Sequence, residues 1–284
     1  MIRFSSTLAF QHDSIFSPFG SHEFDAAIDW AAASGLDGVE LVISDYSNLP
    51  PPALEDLRRK LDARSLAVST ISTGGAYHRE GLSLTAADES VRKKAAARVR
   101  EHIDAAKMLG SKVTLGLLRG VGSQASLNEE KKRLAQQLAE LDVYASQHKV
   151  TLLLEPINRY EVKLLNSLSD TVRFIDALKG TGSLKVLWDV FHANIEDLEF
   201  ADEIARYAAH IGHVHLADNN RAFPGYGKFD FAGILSCLAR NGFDGFASFE
   251  CLNAPDVETV KRKVPDFLRQ ARKCQENNPG NEAR

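Results

Sequence analysis

The sequence lacks several features that would place it in particular protein classes. It has only three cysteines, Cys237, Cys251 and Cys274, which are widely spaced and odd in number, so a reducing cytoplasm is expected rather than a disulfide framework. It has no run of 18 apolar residues and no opening segment typical of a signal peptide, so no membrane association is expected. The formal net charge of −4 argues against a nucleic-acid partner.

The sequence does contain a regular alternation of strand and helix patterns, with no linker or shift in composition. Such alternation implies right-handed βαβ units and a parallel sheet, and eight units close into a (β/α)₈ TIM barrel. A doubly wound open sheet is the alternative, but it usually has fewer units and a Gly-rich first turn, absent after residues 2–6. We predict a single barrel domain over residues 1–274 and a polar, frayed tail over residues 275–284.

The predicted strands and helices have the following bounds. The strands cover residues 2–6, 38–42, 66–72, 112–117, 150–155, 184–189, 211–217 and 246–250. The helices cover residues 22–34, 51–64, 86–109, 127–148, 168–178, 201–208, 231–241 and 256–274, and a glycine-bearing loop is expected between residues 73 and 82.

Four predicted strands in the second half end in side chains that bind metal ions. The runs TLLLE, LKVLWD, IGHVH and FASFE end in Glu155, Asp189, His215 and Glu250. Because the carboxyl ends of parallel strands lie side by side, and catalytic groups of barrels lie there, we expect these side chains to converge. Three carboxylates and one imidazole without a thiolate favour one divalent cation, Mn²⁺ above Mg²⁺ or Co²⁺, over a structural zinc site.

This constellation suits proton transfer next to a carbonyl group. A cation there would polarise an α-hydroxy carbonyl substrate and stabilise the enediolate that forms when the neighbouring C–H loses its proton. Glu155 and Glu250 come from different strands, so one could remove the proton and the other return one. Polar residues in the loops that follow the strands, Glu161, His192 and Arg221, are suited to bind sugar hydroxyl or carbonyl oxygens.

Four further polar residues carry more open expectations. Arg119, just past the fourth predicted strand, is expected at the barrel mouth, where it could bind a substrate phosphate or carboxylate or instead form a salt bridge. Glu40 is expected to pair with an arginine or to line the mouth. His213 is expected to be structural and to point toward the helices, and Asp218 to bond the His215 ring or to cap a turn.

The motifs EPINRYE, WDVFHANIED, GHVHLADNNRAFPGYGKFDF and FASFE resemble the xylose-isomerase-like sugar isomerase/epimerase superfamily, and within it the ketose 3-epimerases of D-tagatose, D-psicose and L-ribulose. The resemblance is strong over residues 150–252 and only architectural over residues 1–149. It implies Mn²⁺ or a similar ion at the four strand-end residues, with the two glutamates as the acid/base pair. It also implies substrate binding by the three loop residues and a homo-oligomer, either a dimer or a tetramer.

The expected function is therefore that of a metal-dependent isomerase or epimerase of a small-molecule sugar, a ketose or a related hydroxy-carbonyl compound, acting through a metal-bound cis-enediolate. A hydroxypyruvate-isomerase-like or inosose-dehydratase-like enzyme on the same scaffold is the alternative, although related hydroxypyruvate isomerases carry a Gln where this chain has His215. An endonuclease of abasic sites is a remote alternative, because it needs more histidines and a basic groove. A non-catalytic sugar-binding barrel would have no need of the paired glutamates.

Overall fold

A computed structural model, which describes residues 1–276, shows eight parallel strands closed into a barrel in the order of the sequence. The strands are β1 (Arg3–Ala9), β2 (Gly38–Val42), β3 (Ala67–Ser72), β4 (Lys112–Leu115), β5 (Leu152–Leu154), β6 (Leu184–Asp189), β7 (Ile211–Leu216) and β8 (Phe246–Phe249). Pairing of β1 with β8 closes the barrel. The predicted (β/α)₈ TIM barrel with a single domain is confirmed.

Ten α-helices lie in the described part of the chain. They are α1 (Phe24–Ala33), α2 (Pro51–Asp62), α3 (Gly74–Glu80), α4 (Glu89–Leu109), α5 (Leu127–His148), α6 (Leu168–Leu178), α7 (Val190–Glu196), α8 (Phe200–Tyr207), α9 (Phe231–Arg240) and α10 (Val257–Glu276). Eight of them correspond to predicted helices. The short helices α3 and α7 were not predicted.

The two additional helices follow strand ends at the barrel mouth. In each case the local sequence explains why a helix was not predicted. The segment of α3 begins with Gly74 and Gly75, which favour a loop by propensity alone. In α7 the cap is Asp189 itself, since its Oδ1 accepts a hydrogen bond from Phe191 N at 2.7 Å. A residue read as a strand end is thus also the start of a helix.

The C-terminal helix extends past its predicted end, and it forms a hydrogen bond with the residue that precedes the first strand. Gln275 is buried in α10, and its Oε1 accepts a hydrogen bond from Ile2 N at 2.8 Å. The predicted tail boundary at residue 275 is therefore wrong for Gln275 and Glu276, which are helical. The rest of that predicted tail, residues 277–284, lies outside the described residues.

The barrel interior holds polar side chains as well as an apolar core. Thr70 in β3 and Thr114 in β4 are buried, and their hydroxyl oxygens lie 2.9 Å apart. Glu40 in β2 reaches His213 and His215 in β7, at 3.4 and 3.0 Å. Because β2 and β7 are not neighbours in the sheet, these contacts must cross the interior.

Over residues 1–276, none of the helices has the length and apolar character that crossing a membrane requires.

A buried histidine links the stability of the fold to pH. His102 in α4 is fully buried, and its Nδ1 lies 2.7 Å from the Tyr46 hydroxyl. Burial, and then the charge of Arg98, lower the pKa of His102 from 6.5 to about 3. Below its ordinary pKa the unfolded chain therefore binds a proton that the folded protein excludes. This group contributes stability above about pH 6.5 that is lost as the pH falls from there toward about 3.

We predict that His102→Phe reduces this pH dependence. Between about pH 6 and about pH 5 the free energy of unfolding of the wild type should fall by about 1 kcal/mol more than that of the variant. Denaturant titrations at the two pH values measure the difference. Tyr46→Phe, which removes the hydrogen-bond partner but keeps the imidazole, is the control and should retain the wild-type slope. Equal slopes for wild type and His102→Phe would contradict the prediction.

Candidate metal centre

The structure brings the four strand-end side chains to one point at the carboxyl end of the barrel. Glu155 follows β5, Asp189 ends β6, His215 lies in β7 and Glu250 follows β8. One ligand atom from each lies within 4.8 Å of the others. The convergence expected from four consecutive strand ends is therefore present in the fold.

His215 lies at the centre of the cluster. Its Nδ1 is 3.3 Å from Glu250 Oε2, 3.8 Å from Glu155 Oε1 and 3.9 Å from Asp189 Oδ2. The Nδ1 of His215 and the Oδ2 of Asp189 are both buried and have no partner in hydrogen-bonding geometry. Buried polar atoms without partners are costly, and oxygen ligands with one imidazole are a donor set for a hard or borderline divalent cation. The residues present fit such an ion.

The protonation of the cluster reflects its excess of negative charge. Burial, and then the charge of Glu250, raise the pKa of Glu155 to about 8. Burial disfavours charge on Glu250 and on His215, but their mutual attraction outweighs it. The pKa of Glu250 is lowered, with help from Arg221, and the pKa of His215 is raised well above its usual value by Glu40 and Glu250. The cluster thus holds protons that a bound cation would displace.

The three predicted substrate residues surround this cluster. Arg221 lies between the rings of Phe16 and Phe191, at 4.8 and 4.7 Å from their centroids. Its Nη2 lies 3.2 Å from Glu250 Oε2, and its Nη1 lies 3.4 Å from Glu161 Oε1. The two rings and two carboxylates hold the guanidinium at the edge of the candidate metal centre.

Asn158, which was not among the predicted site residues, connects Glu161 to His192. Its Nδ2 donates to Glu161 Oε1 at 2.9 Å and lies 2.8 Å from His192 Nδ1. His192 Nε2 is in turn 3.7 Å from Asp189 Oδ2. The signal was present in the motif EPINRYE, where Asn158 stands between Glu155 and Glu161.

Asp218 caps a loop and does not bond His215, which decides between the two expectations for this residue. It is fully buried, and its carboxylate accepts five backbone N–H groups at 2.8–3.2 Å, those of Asn219, Gly225, Gly227, Lys228 and Phe229. The loop that carries Arg221 is organised around this one carboxylate, and Arg221 itself has a φ of 60°.

The predicted substrate-binding role of Arg119 is wrong in this structure. Arg119 is fully buried, and its guanidinium donates to backbone carbonyl oxygens, among them those of Glu155 at 2.9 Å, Leu164 at 2.6 Å and Leu165 at 3.2 Å. The hydrogen bonds of this side chain link the loop after β4 to the loop after β5. A substrate phosphate or carboxylate would find it inaccessible.

The expectations for Glu40 and His213 are also corrected. Glu40 pairs with histidines rather than with an arginine, since its Oε2 lies 3.0 Å from His215 Nε2. His213 points into the barrel and not toward the helices. Residues two apart in a strand lie on the same face, so His213 follows His215.

A cavity of about 490 Å³ lies above the cluster. Glu155, Glu250 and the three predicted substrate residues are part of its lining. The first half of the chain supplies the opposite walls, with Phe16 from the loop after β1 and with His78 and Arg79 from α3. No sequence motif indicated these first-half residues.

Comparison with known proteins agrees with this architecture. Residues 28–271 match the family model described as the xylose isomerase-like TIM barrel. Similar curated proteins are the L-ribulose 3-epimerase of Mesorhizobium japonicum (30% identity, 64% of this chain and 62% of the relative) and the D-psicose 3-epimerase of Enterocloster bolteae (35%, 50% and 49%). A third is the 3-dehydro-D-guloside 4-epimerase of Escherichia coli (32%, 52% and 56%). The matched stretches thus span about half to three fifths of these relatives.

Solved structures share the fold over nearly the whole chain. An L-ribulose 3-epimerase structure superposes with a TM-score of 0.82 at 23% identity, covering 100% of this chain and 99% of the other. The D-psicose 3-epimerase of Clostridium cellulolyticum H10 gives a TM-score of 0.82 at 19% identity, with 96% and 99% coverage. Since the family model covers most of the chain, the protein belongs to the xylose isomerase-like TIM barrel family.

Proposed function

We propose that this protein is a divalent-metal-dependent sugar isomerase or epimerase that acts on a ketose or a related hydroxy-carbonyl compound. The observation that carries the proposal is the convergence of Glu155, Asp189, His215 and Glu250 beside a cavity that the two glutamates help to line. Similarity to sugar epimerases supports it, since those relatives are named for reactions on sugars.

The same four residues are the proposed ligands of the cation, which we propose to be Mn²⁺, with Mg²⁺ or Co²⁺ as alternatives. When bound, the cation would polarise the substrate carbonyl and stabilise the negative charge that develops on its oxygen.

Glu155 and Glu250 are the proposed acid/base pair. They follow β5 and β8, so they approach the cavity from different sides of the barrel. One carboxylate would take the proton from the carbon beside the carbonyl, leaving its electron pair in an enediolate, and the other would return a proton to the opposite face.

Glu161, His192 and Arg221 are the proposed substrate-binding residues, and Asn158 holds the first two in place. The cavity of about 490 Å³ lies within the range of roughly 300–1,000 Å³ that is typical of small-molecule sites. Arg119 is no longer part of this set. A homo-oligomer, dimer or tetramer, and a cytoplasmic location remain predictions.

A second candidate reaction differs from the first in the position of the reacting carbon. The Escherichia coli relative is named a 4-epimerase, so proton transfer beside a C3 carbonyl would use the same chemistry on a different substrate. Hydroxypyruvate isomerisation and inosose dehydration also begin with removal of a proton next to a carbonyl. An abasic-site endonuclease stays remote, since the strand-end cluster contains one histidine.

We predict that the Mn²⁺-loaded protein incorporates deuterium from D₂O into its substrate. Proton NMR of a panel of free ketoses, ketose phosphates, 3-keto sugars and hydroxypyruvate should show exchange at one carbon next to the carbonyl. Chelation should abolish the exchange, and added Mn²⁺ should restore it. A new sugar formed without deuterium would indicate a hydride shift or a shielded proton. No exchange or product across the panel would contradict the proposed substrate class.

We predict that Glu155→Gln and Glu250→Gln each lower turnover by about 10²- to 10⁴-fold, because each removes one member of the acid/base pair. Circular dichroism should show that both variants remain folded. Glu199→Gln, at an exposed position, is the control and should retain wild-type turnover. Near wild-type activity in either active-site variant would refute the assignment of that residue.

Gly116 has no side chain, and the Glu155 carboxylate lies in the space that a side chain there would fill. A Cβ at this position would lie 2.7 Å from Glu155 Oε2, closer than such atoms approach in proteins. Gly74 lines the same cavity, but a Cβ there would meet nothing within 4 Å. The two glycines form a matched pair for testing how precisely Glu155 must be placed.

We predict that Gly116→Ala weakens Mn²⁺ binding by at least about tenfold, because Glu155 must shift from the cluster. Gly74→Ala should leave Mn²⁺ binding unchanged. Titration of the chelator-treated proteins with Mn²⁺, followed by the EPR signal of the free ion, measures both. Equal affinities for the two variants would show that Glu155 is not needed at its observed position.

A further inference from the structure

Glu40 lies directly behind the candidate metal centre. It is fully buried in β2, and its Oε2 lies 3.0 Å from His215 Nε2. Its Oε2 is also 3.4 Å from His213 Nε2, but that nitrogen has no partner in hydrogen-bonding geometry. Among these contacts, the hydrogen bond of Glu40 is therefore with His215.

The two ring nitrogens of His215 face different groups. Nδ1 faces the carboxylates of Glu155, Asp189 and Glu250, whereas Nε2 faces Glu40. An ionised carboxylate only accepts hydrogen bonds, so the proton of a neutral imidazole stays on Nε2 when Glu40 is its partner. The lone pair of Nδ1 is then directed at the carboxylate cluster, and a metal-binding nitrogen must carry such a lone pair.

We propose that Glu40 is a positioning residue for the metal centre. It accepts the Nε2–H of His215 and thereby sets the tautomer and the orientation of the ring, so that Nδ1 binds the cation. The inference rests on the proposed function only in assuming that His215 is a metal ligand. It does not depend on which residues transfer protons.

A purely structural role explains Glu40 poorly. A carboxylate buried in a barrel loses its hydration, and its contacts here are with two imidazoles rather than with an arginine or lysine. An apolar side chain of similar size would fill the same space at lower cost. His213 packs edge-on against the His215 ring, with centroids 5.4 Å apart and an interplanar angle of 85°, which restrains the ring but supplies no acceptor.

The test compares Glu40→Leu and Glu40→Gln with Thr70→Val. Leucine removes the acceptor, while glutamine is isosteric and can still accept through its amide oxygen. Thr70 is the register partner of Glu40 in β3 and is equally buried, so its replacement is a matched polar-to-apolar change that does not touch His215. The dissociation constant of Mn²⁺ is measured by EPR on chelator-treated protein.

We expect Glu40→Leu to weaken Mn²⁺ binding by about 10- to 100-fold, the usual cost of removing the hydrogen-bond partner of a ligating histidine. Glu40→Gln should lie between Glu40→Leu and the wild type, and Thr70→Val within about twofold of the wild type. Two-bond proton–nitrogen NMR of Zn²⁺-loaded protein with ¹⁵N-labelled histidine should show the His215 proton on Nε2 in the wild type.

Three outcomes would overturn the proposal. They are wild-type affinity in folded Glu40→Leu, an equal loss in Glu40→Leu and Thr70→Val, and a His215 proton found on Nδ1 in the loaded wild type. If Glu40→Leu does not fold, Glu40→Gln decides, and wild-type affinity in that variant would count against the role, because a neutral amide is a weaker acceptor than a carboxylate. Wild-type protein that takes up no Mn²⁺ would overturn the metal centre itself, and the role of Glu40 with it.

Discussion

The concentration of negative charge around His215 is the constraint on which the rest of the site depends. Three carboxylates approach one imidazole at the carboxyl ends of four consecutive strands, and buried like charges repel unless a positive group lies among them. The closed barrel favours this approach, because the carboxyl ends of consecutive parallel strands lie side by side at one end of the barrel. Bound protons and the guanidinium of Arg221 neutralise part of this negative charge. The negative charge that remains suits a divalent cation.

The surrounding polar network keeps this charged centre in one arrangement. Asp218 gathers five backbone N–H groups and so places the loop of Arg221, while Asn158 joins Glu161 to His192. Arg119 donates a hydrogen bond to the backbone carbonyl oxygen of Glu155. Precise chemistry on a small substrate depends on such support, because a shift of about 1 Å in a reacting group can cost on the order of 100-fold in rate.

The two halves of the chain make different contributions to function. The second half carries the proposed ligands and proton-transfer groups, and the first half shapes much of the cavity. Motif resemblance was correspondingly strong over residues 150–252 and absent earlier. Similarity to epimerases therefore supports the proposed chemistry more strongly than it supports any one sugar, since much of the cavity wall comes from the first half of the chain.

The sequence by itself determined the order and type of the strands, the closure into a barrel and the four side chains that meet at one edge. These follow from local periodicity and from the rule that parallel strand ends lie together. Only the tertiary structure decided that Arg119 is enclosed and that Glu40 bonds His215. Such contacts join residues far apart, 175 positions in the case of Glu40 and His215, and they depend on strand register and barrel closure, which no local pattern encodes.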